Sequence, residues 1–401
     1  MVEVLVAKGP KGTSHFPTIP PLITSCDLLP ALESLALHPP IQGSVGGSLA
    51  KHVQNWGKIT RDPWVMQTAA GYHLELNGQP HQQRAPAWPR FSHTQKTQLN
   101  AEITKLAEKG AIEPTSDTND QFLSFIFLRP KKDGSMRPII NLKPFNQSVT
   151  YHHFKMEGIH LVLDMIQKGE SFTKIDLKDA YFAVLINDPD RKYLRFRWDN
   201  QTYQFRACPF GLASAPRMFT KLMKPITAIL RRMGVKLVIY LDDMILLNQD
   251  RILLIKQTQS TLWLLQCLGF HINWDKSIID PTNKIEFLGF DIDAVEMKVK
   301  LPEEKKEHIK EQCRRHLQQE TSTVRELAAL IGKLVAAVRA VAPGPLNFRQ
   351  LQMQKTRGLI KHGMNYEARI RLTPECRAEI RWWAEELDTL NRNSTSGRAQ
   401  T

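Results

Sequence analysis

The stretch KLVIYLDDMILL, Lys236 to Leu247, sets two adjacent acids, Asp242 and Asp243, between two strongly apolar runs. Runs of that length with a short polar break predict two buried strands joined by a tight turn. A carboxylate held beside a packed sheet is expensive unless its charge is compensated, so the pair constrains both the fold and its use. A third acid, Asp176 in FTKIDLKDAY, also ends a β-like run. If the two strands are neighbours, Asp176 and Asp242 lie together with Asp243 beside them. Such crowding raises a carboxyl pKa or calls for a cation. Oxygen ligands with no Cys or His close by imply Mg2+ or Mn2+. Two such ions can activate an attacking hydroxyl and stabilise a leaving pyrophosphate, so the expected chemistry is nucleotidyl transfer.

Between Phe122 and Phe290, short β-like runs alternate with helical segments, which predicts a mixed α+β domain with antiparallel strands. FLSFIFLRP and MRPIINL flank KKDG, where Asp133-Gly134 is a hairpin signal, and YLRFRW and TYQFRA flank Asp199-Asn200. A helix is predicted from about Ala215 to Met233, kinked at Pro225. The first 50 residues hold seven Pro, five Gly and no sustained period, so residues 1–85 are expected to be a poorly ordered lead-in. The helical period of Leu99, Ile103 and Leu106, capped by Ser92 or Thr94, opens an ordered unit over residues 86–295.

Residues 296–372 are helical in pattern and carry 16 Lys or Arg against 8 Glu and no Asp. That excess is over half of the net +14 of the whole chain, and it points to a polyanionic partner, with nucleic acid leading. Thr323 and Glu326 form a capping-box pattern before an apolar stripe of Leu327, Leu330, Ile331, Leu334, Val335, Val338 and Val341. A connecting helix over residues 373–391 should start at Pro374 with Thr373 as cap, followed by a tail at 392–401. Its acids, Glu375, Glu379, Glu385, Glu386 and Asp388, read as one solvated face. The five cysteines are scattered without a CxxC pair and read as reduced, intracellular thiols. No stretch reaches the roughly 18 apolar residues that span a bilayer, so no membrane partner is expected. GxGxxG and GxxxxGK[ST] are both missing.

The pieces KKDGSMRPIINLKPFN, FTKIDLKDAYF, CPFGLASAPRMF, YLDD, LGFHINWDKS and FLGFDI follow one another over roughly residues 120 to 292. In that order they resemble the reverse transcriptases of retroelements, most closely the tyrosine-recombinase retrotransposons of the DIRS type. ITRDPWVMQTAAGYHLEL before them and LTPECRAEIRWWAEEL near the end extend the likeness. The resemblance implies a right-hand polymerase fold, with fingers and palm over 86–295 and a basic helical thumb over 296–372. It implies an RNA-directed DNA polymerase that takes an RNA or DNA template with a primer, and deoxynucleoside triphosphates. Asp176, Asp242 and Asp243 would be the catalytic carboxylates and the ligands of two Mg2+ ions, with Mn2+ as a substitute. Tyr181 resembles the steric gate that excludes a ribose 2′-hydroxyl. Asp179 and Ala180 would meet the triphosphate through backbone N–H groups, and Lys131, Lys132 and Arg137 would clamp it from a hairpin. Gly211 would let the substrate lie close to backbone, beside Phe210, which stands where retroviral enzymes commonly carry Gln. Lys276 matches the lysine that protonates leaving pyrophosphate. Tyr240 and the FLGF segment, with Phe287, Leu288 and Gly289, would meet the primer end.

Three readings stay open on the sequence alone: the RNA-directed DNA polymerase, an inactive or domesticated element protein that only binds nucleic acid, and an RNA-templated RNA polymerase. All three acids are intact, which argues against decay, and Tyr181 favours the DNA maker. Related elements carry a ribonuclease H domain after the polymerase. With the acids of 375–388 read as a helix face, this chain is not expected to cleave RNA itself, and it can be a fragment of a longer polyprotein.

Overall fold

The computed structural model describes residues 30–130 and 136–394. Lys131, Lys132 and the Asp133-Gly134 turn lie outside the described residues, as do the start of the lead-in and the last seven residues.

The described part of the lead-in is packed, contrary to the expectation of poor order up to residue 85. It forms α1 (Pro30–Glu33), a 3-10 turn at Ser48–His52, α2 (Val53–Ile59) and α3 (Pro63–Ala70). Leu49, Trp56 and Ala69 are fully buried in the largest apolar core. The physical reason is a cap rather than a periodic stripe. Helices leave their last carbonyls without intrahelical donors, and this segment supplies donors to a distant helix end. Asn55 Nδ2 donates to Cys267 O (2.6 Å), Trp56 Nε1 to Leu268 O (3.0 Å) and Ser48 Oγ to Gly269 O (2.6 Å).

Next come α4 (His93–Glu108) and β1 (Ile112–Thr115). Ser92 closes a capping box with Gln95 on α4, whose Leu99, Ile103 and Leu106 are buried. β2 (Ile126–Pro130) pairs with β3 (Met136–Ile140), and α5 (Ile159–Met165) leads into β4 (Ser171–Asp176). β5 (Arg195–Trp198) and β6 (Gln201–Phe205) are joined through Asp199 and Asn200, both at positive φ as a tight two-residue hairpin requires. They form a sheet in the order β1-β6-β5. α6 (Ala215–Arg232) holds Pro225 in its interior.

β7 (Lys236–Tyr240) and β8 (Asp243–Asn248) are the opening stretch, followed by α7 (Arg251–Cys267) and β9 (Ile278–Thr282). They build the central antiparallel sheet, β7-β8-β4-β9. Side chains alternate faces along a strand. On β8, Met244 and Leu246 enter the large core while Ile245 and Leu247 enter a second one with Phe172, Val238 and Phe287. A sheet covered on both faces therefore reads as an unbroken apolar run.

The chain ends with β10 (Lys284–Phe287), β11 (Phe290–Asp293), β12 (Lys298–Lys300), α8 (Glu303–Gln318), β13 (Thr321–Thr323), α9 (Val324–Ala337), α10 (Arg349–Lys361), β14 (Arg369–Arg371), α11 (Pro374–Leu390) and β15 (Asn393–Ser394). Thr323 and Glu326 make the capping box on α9, and Thr373 Oγ1 accepts from Cys376 N at the start of α11. Val335, expected in the stripe, is instead exposed, because the helix turns it away from Leu327, Leu330, Ile331 and Leu334. α11 is no separate connector. Its Ile380, Trp383 and Leu387 share one core with Leu327, Leu334 and Leu351 of the basic helices. One of its acids departs from the solvated face, and another, though exposed, is tied down by ion pairs. Glu379 is buried and accepts from Gln350 and Leu351 N–H at the start of α10 (2.9 and 3.0 Å). Asp388 holds Lys306 at 2.9 Å and Lys310 at 2.5 Å. No helix among the described residues is long and apolar enough to cross a membrane.

Candidate active site

The ladder between β4 and β8 sets Asp176 directly opposite Asp243, and β7 sets Tyr240 opposite Asp243. Leu241 and Asp242 are the two turn residues between them. Leu241 has φ +54, a left-handed conformation that costs a bulky L-residue about 1–2 kcal/mol. The surrounding ladder holds it: Leu177 N–H donates to Asp242 O at 2.9 Å. Asp176 is fixed by a small ring of bonds. Its N–H donates to Ser277 Oγ (3.0 Å), Ser277 Oγ donates to Asn273 O (2.8 Å), and Asn273 N–H donates to Asp176 O (2.8 Å). Ser277 and Asn273 belong to the INWDKS segment, so that piece of sequence buttresses the first acid as well as carrying Lys276.

Burial pushes the Asp243 carboxyl up to about 6, with the charges of Asp242 and Asp176 adding to it. Asp242 is raised too, by burial first and then by Asp176, against the pull of Lys276. The exposed Lys276 thus stands at the edge of the acids. Among the described residues no three His, Cys, Asp or Glu side chains are gathered round one point as a ready-made metal site. The acids nonetheless suit hard cations by their chemistry: three crowded carboxylates, half-buried, whose mutual repulsion a positive ion would relieve.

One wall of the site is aromatic. Tyr181 lies 5.3 Å from Phe210 and 5.6 Å from Phe219, ring centre to ring centre. Burial raises its phenol, with smaller contributions from Cys208, Asp242 and Tyr240, which places the ring within electrostatic reach of the acids. Phe210 is 44% exposed and presents a face outward. Gly211 has φ +93, in the region that favours glycine. A Cβ there would meet Ile140 O only at 3.9 Å, so the backbone conformation, not crowding, is what the structure asks of it. Asn146 clamps this loop, donating to Gly211 O and accepting from Ala213 N–H, each at 2.9 Å. Asp179, at φ +50, opens a short 3-10 helix at Ala180–Ala183, and its carboxylate pairs with Lys109 at 2.8 Å. The first N–H groups of such a helix have no intrahelical acceptor. Ala180 itself is buried.

Arg137 is exposed on β3 and stands opposite Arg129 on β2, so the described base of the hairpin presents two guanidinium groups. Tyr240 is half-buried beside the acids. Phe287 does not fit the expected primer contact. It is 1% exposed and packs into the second core with Phe172 and Val238. The β10–β11 tip that follows, Leu288 at φ +50 and Gly289 at φ +73, remains near the surface, with Lys305 Nζ donating to Gly289 O at 3.2 Å. Asn146, Lys109, Arg129 and Ser277 were not singled out in the sequence. Asn146 sits inside the quoted KPFN piece and Ser277 at the end of INWDKS, but their roles depend on partners distant in the chain.

Residues 129–292 match the family described as reverse transcriptase (RNA-dependent DNA polymerase). Among curated proteins, the Tf2-3 and Tf2-4 transposon polyproteins of Schizosaccharomyces pombe are each 27% identical over 194 residues, 48% of this chain and 14% of theirs. The chain therefore spans only a small part of the length of these relatives. Among solved structures, the foamy viral protease-reverse transcriptase in complex with double-stranded DNA is similar at a TM-score of 0.63 and 18% identity, over 95% of this chain and 75% of that one. The same viral protein in complex with an RNA/DNA hybrid gives 0.58 and 18%, over 90% and 47%. These likenesses give the chain the right-hand polymerase fold.

Proposed function

We propose that this chain is an RNA-directed DNA polymerase of a retrotransposon, extending a primer 3′-hydroxyl with deoxynucleoside triphosphates on an RNA or DNA template. The observation that carries the reading is the pairing of Asp176 with Asp243 on the central sheet, with Asp242 at the adjoining turn. In this reading Asp176, Asp242 and Asp243 hold divalent cations, Mg2+ or Mn2+, which supply charge neutralisation and hydroxyl activation when bound. Tyr181, braced by Phe210 and Phe219, closes the space a ribose 2′-hydroxyl would need. Phe210 and Gly211 support the nascent pair, with Asn146 as a positioning residue for that loop. The N–H groups around Asp179 and Ala180 face the triphosphate, Arg137 draws it in with Arg129 beside it, joined in this role by Lys131 and Lys132, and Lys276 delivers a proton to the leaving pyrophosphate. Tyr240, Leu288 and Gly289 border the primer end. Residues 86–295 serve as fingers and palm, and the basic helices with α11 as a thumb that follows backbone phosphates without reading bases. The DIRS-type affinity belongs to this proposal, as does a parent polyprotein with a ribonuclease H domain.

The test is primer extension on RNA and DNA templates, with deoxy- and ribonucleotides, in Mg2+ and in Mn2+. DNA synthesis on RNA that is lost in Asp242→Asn supports the reading. A protein that binds the primed template yet extends nothing would instead be the inactive, binding-only element protein.

A further inference from the structure

We propose that a basic groove along the outer side of α6 holds the sugar–phosphate backbone of a nucleic-acid strand outside the catalytic site, a proposal that rests on the polymerase reading above. The groove runs between α6 and the turn joining α2 to α3. Ile59, Thr60 and Val65 form one wall, and Lys221, Lys224 and Arg232 the other. Ile59 and Thr60 also line an adjoining groove with Lys58 and Arg61. At the opposite end Lys224 lines a cleft with Lys155, Ile239 and Leu241. The shared residues make these one path, from the catalytic turn at Leu241 round α6 to the N-terminal helices.

The charge along the path is one-sided. α6 carries five basic residues and no acid. The two acids that border the path are already engaged. Asp62 caps α3, accepting from Trp64 and Val65 N–H. Glu157 pairs with Arg231 at 2.6 Å and accepts from Ile239 N–H. Among the described residues the side chains of Arg61, Lys155, Lys224 and Arg232 form no ion pair and no hydrogen bond. Cations gathered without counter-charges repel one another, and a string of phosphates relieves this while releasing condensed counterions. The ligand's contact is backbone rather than base. Among the described residues along the path, Trp64 is covered by Lys221 Nζ at 3.9 Å from its centre and Phe219 is fully buried, which leaves no open platform for stacking.

The experiment uses the full chain and the exposed substitutions Arg61→Gln, Lys224→Gln and Arg232→Gln together. Binding is measured by fluorescence anisotropy across salt concentration for a blunt primer–template, one with a 5′ template overhang and one with a 3′ overhang. On a ligand that reaches the groove, the slope of log K against log salt should fall by about 2, three phosphate contacts on a single strand, and by somewhat more on duplex. The extension rate on a short blunt primer–template at saturating substrate should stay within about twofold of the parent, because none of the three has a part in the proposed acid site and Lys224 reaches only the cleft that ends at Leu241. Which ligand shows the loss says whether the groove holds single strand or duplex. An unchanged slope on all three ligands overturns the groove. Lys224→Gln with Arg232→Gln serves as a milder variant and should lower the slope by about 1.4; a parent that never extends, combined with a slope that does fall, defeats the polymerase reading and leaves the groove standing.

Discussion

In the proposed reaction the chemistry turns on Asp242, which occupies the turn, beside the strained Leu241, between two paired strands of the central sheet. Asp242→Asn keeps the shape and removes the charge. Extension should fall by roughly 10²-fold or more, while affinity for primed template, measured by anisotropy, stays close to the parent value. Tyr181→Ala should open the space beside Phe210 and allow ribonucleotide incorporation, read as a drop of at least about tenfold in the ratio of deoxy- to ribonucleotide kcat/KM; an unchanged ratio would assign Tyr181 to packing alone. The three acids were legible in the sequence because a carboxylate beside an unbroken apolar run has few structural uses. Asn146 and Lys109 were not, because each acts on a loop 65 or more residues further along the chain. Phe287 was misjudged for a related reason: an apolar residue in a strand announces burial, but only the fold says whether it faces a core or a ligand.

Among the elements, the N-terminal helices and α11 differ most from their sequence pattern. The stretch around Trp56 shows no sustained period, because its work is to cap the end of α7 rather than to lay a stripe on a sheet. Trp56→Ala removes a fully buried ring and the donor to Leu268 O, and should destabilise the protein by about 3–5 kcal/mol in urea melts; a change under about 1 kcal/mol would mean the segment is not integral to the core. On α11, bonds from Lys306 and Lys310 hold the Asp388 carboxyl down at about 2, below its ordinary 3.8. A depressed carboxyl stabilises the fold above the unfolded pKa and loses that contribution as pH falls through the folded one. The melting temperature of Asp388→Asn should therefore lie below the parent's at pH 6, and the gap should narrow below about pH 4 and close near 2. A gap independent of pH would assign the effect to packing. The capping boxes at Ser92 and Thr323 were readable in advance, because they depend on contacts three residues apart.

For the molecule as a whole, two apolar cores cover the two faces of the central sheet, a third packs the helices that follow it, and the acids lie at the end of β4 and the β7–β8 turn on that sheet. The net charge of +14, with its concentration in the helices that follow and along α6, suits a partner built of phosphates. The mixed α+β character and antiparallel strands could be read directly from the alternation of short apolar runs and helical periods. The merging of α11 with the basic helices could not, since it depends on which amphipathic faces find one another. The most direct test of the account is extension of a labelled DNA primer on an RNA template by the purified chain, with Mg2+ and deoxynucleoside triphosphates, beside Asp242→Asn. The account predicts a full-length DNA product from the parent and none from the variant. Equal extension by both, or binding of the primed RNA without any extension by the parent, would contradict it.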